Sequence, residues 1–209
     1  MKYGLIQKIM WMGYKSTFKK QLTTTFHESN PKEVMKLAHT KYKSILFDID
    51  EFDKNDRFLI NIVSASMLAS ILLSTKNKYS VEEVRLYYRR AMCENILTKL
   101  ASKKSKAYTK KGREKLKKQA AQSVILAKNN PYTWIFTVED GETLNQYTAT
   151  FYCCGICHLM KKLNLQQYIP AMCSLDYDMA ALNNTEFTRK YTLAENGPYC
   201  DCHYNHKEK

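Results

Sequence analysis

Tyr132-Thr-Trp-Ile-Phe-Thr-Val-Glu-Asp-Gly-Glu-Thr-Leu-Asn-Gln-Tyr-Thr-Ala-Thr-Phe-Tyr152 is the stretch in which the hydrophobic period of this chain changes. Residues 132–138 alternate, with Trp134, Phe136 and Val138 on one side. Asp140-Gly141 then offers a turn suited to positive φ, and residues 143–152 read as a returning strand. The stretch predicts a β-hairpin, and everything before it has helical spacing. Asn30-Pro31 is an N-cap followed by proline at the first helical position, where the missing N–H costs nothing. Val34, Leu37, Ala38 and Ile45 follow at helical intervals in a helix expected to end before Asp48. Residues 48–56 are acidic and loop-like. The run 58–73 contains Asn61, Ser64, Ser66 and Ser70 and spans only 16 residues, so it predicts a buried core helix rather than a membrane span. Ser80-Val-Glu-Glu83 has the form of a capping box and opens a helix expected to reach about Leu100. A further helix is expected over 114–128, ended by Asn129-Asn130-Pro131.

Beyond the hairpin, short helices are expected at 155–163 and 168–182. A second strand pair, 186–193 with 199–204, is expected around a turn at 194–198. The elements predict an α+β fold in which a small antiparallel sheet is backed by helices. Residues 1–209 read as a single domain, mainly helical over 1–128, with the hairpin, two cysteine-bearing helices and second strand pair over 129–204.

Of the 209 residues, 44% are hydrophobic and 25% charged, with 6 Gly and 4 Pro, which excludes wholesale disorder, collagen and a coiled-coil rod. The net charge of +13 is unevenly spread. Between Lys99 and Lys118 stand ten basic residues, Lys99, Lys103, Lys104, Lys106, Lys110, Lys111, Arg113, Lys115, Lys117 and Lys118, against one acid, Glu114. No aromatic stacking platform or recognition-helix pattern accompanies them, so weak polyanion adhesion is expected and specific nucleic-acid binding is not. The N-terminal stretch Met1–Lys15 is interrupted by Gln7 and Lys8, and no small-residue cleavage site follows it, so a cytoplasmic location is expected. The sequence carries no signal for an oligomeric state. Walker A, G-x-G-x2-G, G-x-S-x-G and H-E-x2-H are all missing, which removes the usual support for nucleotide binding, serine hydrolysis and a histidine-held zinc hydrolase.

Six of the seven cysteines lie in the last 57 residues: Cys153, Cys154, Cys157, Cys173, Cys200 and Cys202. Cys154-Gly-Ile-Cys157 falls at a strand-to-helix junction, where first-turn amides and the helix dipole favour a thiolate at Cys154. Cys173, Asp176 and Tyr177 share a helical face at i, i+3 and i+4, with Asp178 elsewhere. In the last strand Cys200 and Cys202 share one face, and Asp201 and His203 the other. Three readings stand: a catalytic thiolate with an acidic partner; a four-thiolate zinc site of Cys154, Cys157, Cys173 and Cys200; and buried sulfur acting as packing, as expected for Cys93. No cofactor is favoured, and zinc is the alternative. His158 is expected at the surface, and His203 is the acid/base candidate among the histidines. The hairpin aromatics Trp134, Phe136, Tyr147, Phe151 and Tyr152 read as core and sheet pairs, while a sheet face lined by them and covered by the cysteine-bearing helices would make a small-molecule cavity.

Pro131-Tyr-Thr-Trp134, Cys154-Gly-Ile-Cys157, Cys173-Ser-Leu-Asp176-Tyr177, Arg189, Thr192-Leu-Ala194, Gly197 and Cys200-Asp201 together resemble the L-2-amino-thiazoline-4-carboxylic acid hydrolase family, most closely over residues 130–204. The resemblance implies a hydrolase that opens a cyclic isothiourea or amidine-type small molecule. It also implies a candidate site of Cys154, Cys173, Asp176, Cys200 and Asp201. In that reading a thiolate at Cys154 attacks or positions the ring carbon, Asp176 holds the amidine nitrogens, and Asp201 or His203 manages a proton. Tyr177, Arg189 and His203 join Cys173 as substrate-binding candidates. Cys202 and His203 stand where the resemblance leads one to expect an aromatic residue and an arginine. Either Arg189 then takes the substrate carboxylate in place of that arginine, or the substrate differs from the name-giving one. The alternative from a different class is a non-catalytic small-molecule- or zinc-binding module, similar to vinyl-reductase-type domains.

Overall fold

The computed structural model describes residues 1–54, 56–102 and 106–207. The architecture is α+β, as the patterning predicts. Helix α1 (Leu5–Thr24) buries Gln7, Trp11, Tyr14, Phe18, Gln21 and Leu22 at intervals of three and four. Helix α2 (Pro31–Phe47) starts at the expected cap, with the Asn30 side chain accepting the Glu33 N–H. Helix α3 (Leu59–Ser74) is buried on every side from Ile62 to Leu72. Its serines do not disturb that burial: the Ser66 and Ser70 hydroxyls donate to the Ile62 and Met67 carbonyls at 2.8 and 2.7 Å, and Ser64 meets the Tyr88 hydroxyl at 3.0 Å. Among the described residues no helix is long and apolar enough to cross a membrane.

Helix α4 (Val81–Cys93) opens with the predicted box, in which the Ser80 N–H donates to Glu83 and the Glu83 N–H to Ser80. It does not run on to Leu100. Asn95 is buried, and its amide donates to the Gly13 carbonyl and the Thr17 hydroxyl on α1 at 2.9 and 3.1 Å. Its oxygen meanwhile accepts the Leu97 N–H at 2.9 Å. These bonds end one helix and start α5 (Ile96–Ser102).

Helix α6 (Lys110–Leu126) begins within the basic tract, capped by Thr109, earlier than the expected 114. Arg113 belongs to the core and not to a solvated charge run. Its guanidinium is 3% exposed and donates to Asp140 at 2.8 Å and to the carbonyls of Ala107, Leu144 and Gln146. Lys117 pairs with the same Asp140. Part of the basic excess is therefore consumed internally. Lys103 and Lys104 lie outside the described residues.

The hairpin consists of β1 (Ile135–Asp140) and β2 (Gln146–Cys153). The connection is longer than expected and Gly141 does not take positive φ; the loop closes instead by hydrogen bonds from Gly141 N–H to Gln146 O and from Gln146 N–H to Thr143 O. The chain continues through α7 (Gly155–Lys162), a 3-10 turn at Gln166–Tyr168, α8 (Ile169–Cys173) and α9 (Leu175–Leu182). The predicted continuous 168–182 helix is interrupted at Ser174, whose hydroxyl donates back to the Ala171 carbonyl at 2.8 Å. Strand β3 (Thr185–Thr188) is shorter than the expected 186–193, because Asp201 takes the backbone N–H groups of Lys190 and Tyr191 and draws them out of the ladder. Strand β4 (Cys200–His206) pairs with β3 and also with β2, so the two strand pairs fuse into one antiparallel sheet of order β1-β2-β4-β3.

Candidate active site

Side-chain alternation decides what the sheet presents to the helices. Phe136 of β1, Tyr147, Ala149 and Phe151 of β2, and Cys200, Cys202 and Tyr204 of β4 face inward and line a cavity of about 270 Å³. Phe58 and Trp134 (stacked at 4.5 Å), Phe136 and Phe151 (stacked at 5.4 Å), and Tyr147 and Tyr204 (stacked at 4.6 Å) form its aromatic wall. Cys154, Ile156, Met172, Cys173, Asp176 and Arg189 supply much of the rest. The expected aromatic-lined hollow under the cysteine-bearing helices is present. Its volume is near the small end of the roughly 300–1,000 Å³ typical of ligand sites.

Cys154 caps α7 at the point where β2 turns into the helix. The turn depends on Gly155: a Cβ there would lie 1.8 Å from the Tyr132 carbonyl oxygen, so only glycine lets α7 approach this closely. The surroundings of Cys154 work against the expected thiolate. A hydrogen bond with Cys157 and burial push the Cys154 thiol well above the ordinary value, while the first-turn amides of Cys157 and Ile156 pull it down by less. Cys173 is likewise pushed up by burial, then by Asp176 and Cys154, with Arg189 opposing. Burial also raises Cys200, whose sulfur accepts the Leu193 N–H at 3.2 Å, and takes Cys202 up to about 12. In each case the surroundings favour the thiol over the thiolate.

Asp176 and Arg189 form the charged part of the site. Arg189 Nη1 donates to Asp176 Oδ2 at 2.9 Å, and Nη2 to the Cys173 carbonyl at 2.9 Å. The arginine side chain is 7% exposed, while that of Asp176, which lines the cavity, is 51% exposed. Burial at the cavity wall raises its carboxyl even against Arg189. Burial works against the charge of Arg189 too, but the Asp176 carboxylate beside it outweighs that and holds the guanidinium cationic. Among the described residues no protein donor meets Asp176 Oδ1, which leaves that oxygen for a ligand.

Cys154, Cys173, Asp176, Arg189 and Cys200 thus meet at one cavity. Four other candidates do not line it. Asp201 and His203 lie on the outer face of β4, one residue out of phase with Cys200 and Cys202. Asp201 Oδ1 accepts the N–H groups of Lys190 and Tyr191 at 3.1 and 2.6 Å, Oδ2 lies 3.5 Å from His203, and His203 meets Thr148 at 2.8 Å. They brace the outer face of the sheet, away from the cavity. Tyr177 packs edge-on against Phe187 and lines a neighbouring groove, because as the next residue of α9 it points about 100° round the helix from Asp176. Asp178 points elsewhere as expected, paired with Arg89 at 2.8 Å. Cys157 is buried behind Cys154.

Among the described residues no group of three or more His, Cys, Asp or Glu side chains, the zinc alternative of Cys154, Cys157, Cys173 and Cys200 included, is gathered as a metal site. The sequence reading missed Arg57, Asn61 and Tyr204. Tyr204 continues the Cys200–Cys202 alternation and was legible in principle, whereas Arg57 and Asn61, in the loop before α3 and on that helix, carry no local motif.

No curated protein and no solved structure matches the chain at a significant level. A family model does, over residues 60–204, a span that takes in α3 and all of the cavity's helices and strands. By that match across most of its length, the chain belongs to the L-2-amino-thiazoline-4-carboxylic acid hydrolase family.

Proposed function

We propose that this protein is a hydrolase that opens a small cyclic isothiourea or amidine-type substrate, of which L-2-amino-thiazoline-4-carboxylate is the name-giving example for the family. The observation that carries this reading is the meeting of the Asp176–Arg189 pair with the Cys154 and Cys173 thiols around a single aromatic-walled cavity. A planar amidine presents two N–H groups, and a carboxylate whose second oxygen is open accepts them well. Arg189 fixes the rotation of that carboxylate. Because burial disfavours the Asp176 charge, a cationic amidinium binding there is favoured beyond the hydrogen bonds themselves.

Cys154 is the proposed nucleophile. It is protonated at rest, so its proton leaves as it attacks: the sulfur bonds to the ring carbon, the ring carbon–sulfur bond breaks, and the departing ring sulfur takes the proton. Water then adds to the same carbon and the Cys154 sulfur leaves with a proton, releasing an open-chain carbamoyl product. The net change is one water added across one ring bond. Cys173 and Cys200 serve as neutral walls that keep bulk water from the reacting carbon.

The test is to incubate the purified protein with L-2-amino-thiazoline-4-carboxylate and follow the gain of one water by mass spectrometry. Cys154→Ser and Asp176→Asn are each expected to reduce turnover roughly 100-fold or more while keeping the circular dichroism spectrum. Full turnover in Cys154→Ser would reject the nucleophile. Tight binding with no turnover by the unaltered protein would favour a non-catalytic binding module.

A further inference from the structure

Two arginines line the cavity, and their circumstances differ. Arg189 is committed to Asp176 and to the Cys173 carbonyl. Arg57 is not: its one hydrogen bond is to Gln119 Oε1, at the limiting distance of 3.5 Å, and among the described residues no carboxylate forms an ion pair with it. Its guanidinium carbon lies 5.4 Å from the Phe58 ring centre and 6.0 Å from that of Phe136, both of which line the cavity. Burial lowers the affinity of Arg57 for its proton, and the nearby Tyr147 and Tyr204 phenols oppose that only in part. Arg57 is exposed to solvent on one side, yet it reaches the cavity wall beside aromatic rings with no anion of its own, and an incoming carboxylate supplies that partner.

We infer that Arg57 is the residue that recognises the substrate carboxylate, a specificity role that sequence analysis gave to Arg189. The inference rests on the proposed function, because it assumes a ligand whose amidine end is held at Asp176. Arg189 is the poorer partner, since its charge is already paired with Asp176 and a second nitrogen is held by the Cys173 carbonyl. A side chain at 203 cannot serve, since that position is on the outer face of β4. The cavity therefore asks for a molecule with a cationic or hydrogen-bond-donating end at Asp176 and an anionic end at Arg57. The fork geometry of arginine suits a bidentate carboxylate contact, which lysine reproduces in charge only.

Calorimetric titration with two probes tests this: L-2-amino-thiazoline-4-carboxylate and the same ring without its carboxylate, 2-aminothiazoline. The unaltered protein is expected to prefer the carboxylate compound by roughly 10- to 100-fold, the usual size of a charge-assisted contact. Arg57→Met is expected to abolish that preference, and Arg57→Lys to keep part of it. Circular dichroism and retained binding of 2-aminothiazoline report that each variant is folded with its cavity intact. A preference undiminished in Arg57→Met overturns the Arg57 role while leaving the proposed function standing. Failure of the unaltered protein to bind either compound overturns both.

Discussion

Arg189 bridges Asp176 and Cys173, two residues that are three apart in sequence but lie on either side of a helix break. One nitrogen reaches the Asp176 carboxylate and another the Cys173 carbonyl, each at 2.9 Å. The break at Ser174 frees the last carbonyls of α8, and Arg189 satisfies one of them from beyond the end of β3. A single side chain thereby stabilises a helix end and aims a carboxylate into the cavity.

Arg189→Met is expected to lower stability by roughly 1–3 kcal/mol, less than for a fully buried pair because the Asp176 side chain is half exposed. The Asp176 carboxyl, already raised by burial, should rise further without its partner. The acid limb of the activity profile should then move to higher pH in the variant. Urea unfolding and a pH–rate profile measure the two effects.

The cavity thiols make a prediction about alkali. Cys202 is pushed up to about 12 by burial, and Cys154, Cys173 and Cys200 are also raised. An unfolded cysteine ionises near pH 8.5. The folded state therefore binds more protons between these values, and the stability these thiols contribute, fully present below about pH 8.5, is lost as pH rises toward 12. Thermal unfolding from pH 7 to 11 should show a steeper decline for the unaltered protein than for Cys202→Ala. Iodoacetamide at pH 8 should label the folded protein more slowly than the protein in denaturant.

Gly155→Ala is expected to be costly. The new Cβ would meet the Tyr132 carbonyl at 1.8 Å and the Trp134 ring at 3.0 Å, and backbone cannot yield as a flexible side chain can. A loss of about 1–3 kcal/mol or more is expected from overpacking alone, read as a lower melting temperature. Because the same turn seats Cys154, turnover should fall as well; an unshifted melting temperature would refute the close approach.

Asp201→Ala separates structure from chemistry. Burial raises the Asp201 carboxyl, but the backbone N–H groups of Tyr191, Asp201 and Lys190, together with His203, outweigh it and hold the group below the usual carboxylate range. Its contribution to stability is present above roughly pH 4 and is lost as pH falls through the lowered folded value. At pH 7 the substitution should cost roughly 1.5–3 kcal/mol, the size of hydrogen bonds to a charged group. Turnover at a temperature where the variant is fully folded should stay within about twofold. A large loss of turnover in folded Asp201→Ala would return this residue to the site.

Arg113→Leu tests whether the basic tract is only a solvated run. The guanidinium is 3% exposed and ties α6 to the hairpin loop through Asp140 and three carbonyls. Its removal leaves those acceptors and Asp140 without their donor, for a loss of about 2–4 kcal/mol. Lys111→Leu, at an exposed position in the same helix, should be near neutral.

The amino-acid pattern was enough for the elements whose reason is local. The proline after Asn30, the Ser80–Glu83 box and the serine-bearing apolar run of α3 each predict what is found, because caps and burial periodicity act within a few turns of chain. The alternation of Cys200 and Cys202 against Asp201 and His203 was also readable, and it already held the answer that the last two lie away from the cavity. The resemblance had grouped Asp201 with the thiols by adjacency in sequence, which a strand reverses at every residue.

What the sequence determined by itself is the α+β class and the faces of its strands and helices, since these follow from periods of two and 3.6 residues. Tertiary structure alone decided that Asn95 divides a helix, that Arg113 is core, that burial and Cys157 raise the Cys154 thiol, and that Arg57 comes to the cavity wall. Each depends on partners brought in from distant segments. Burial and electrostatic environment are sums over neighbours in space, and no local spacing rule contains them.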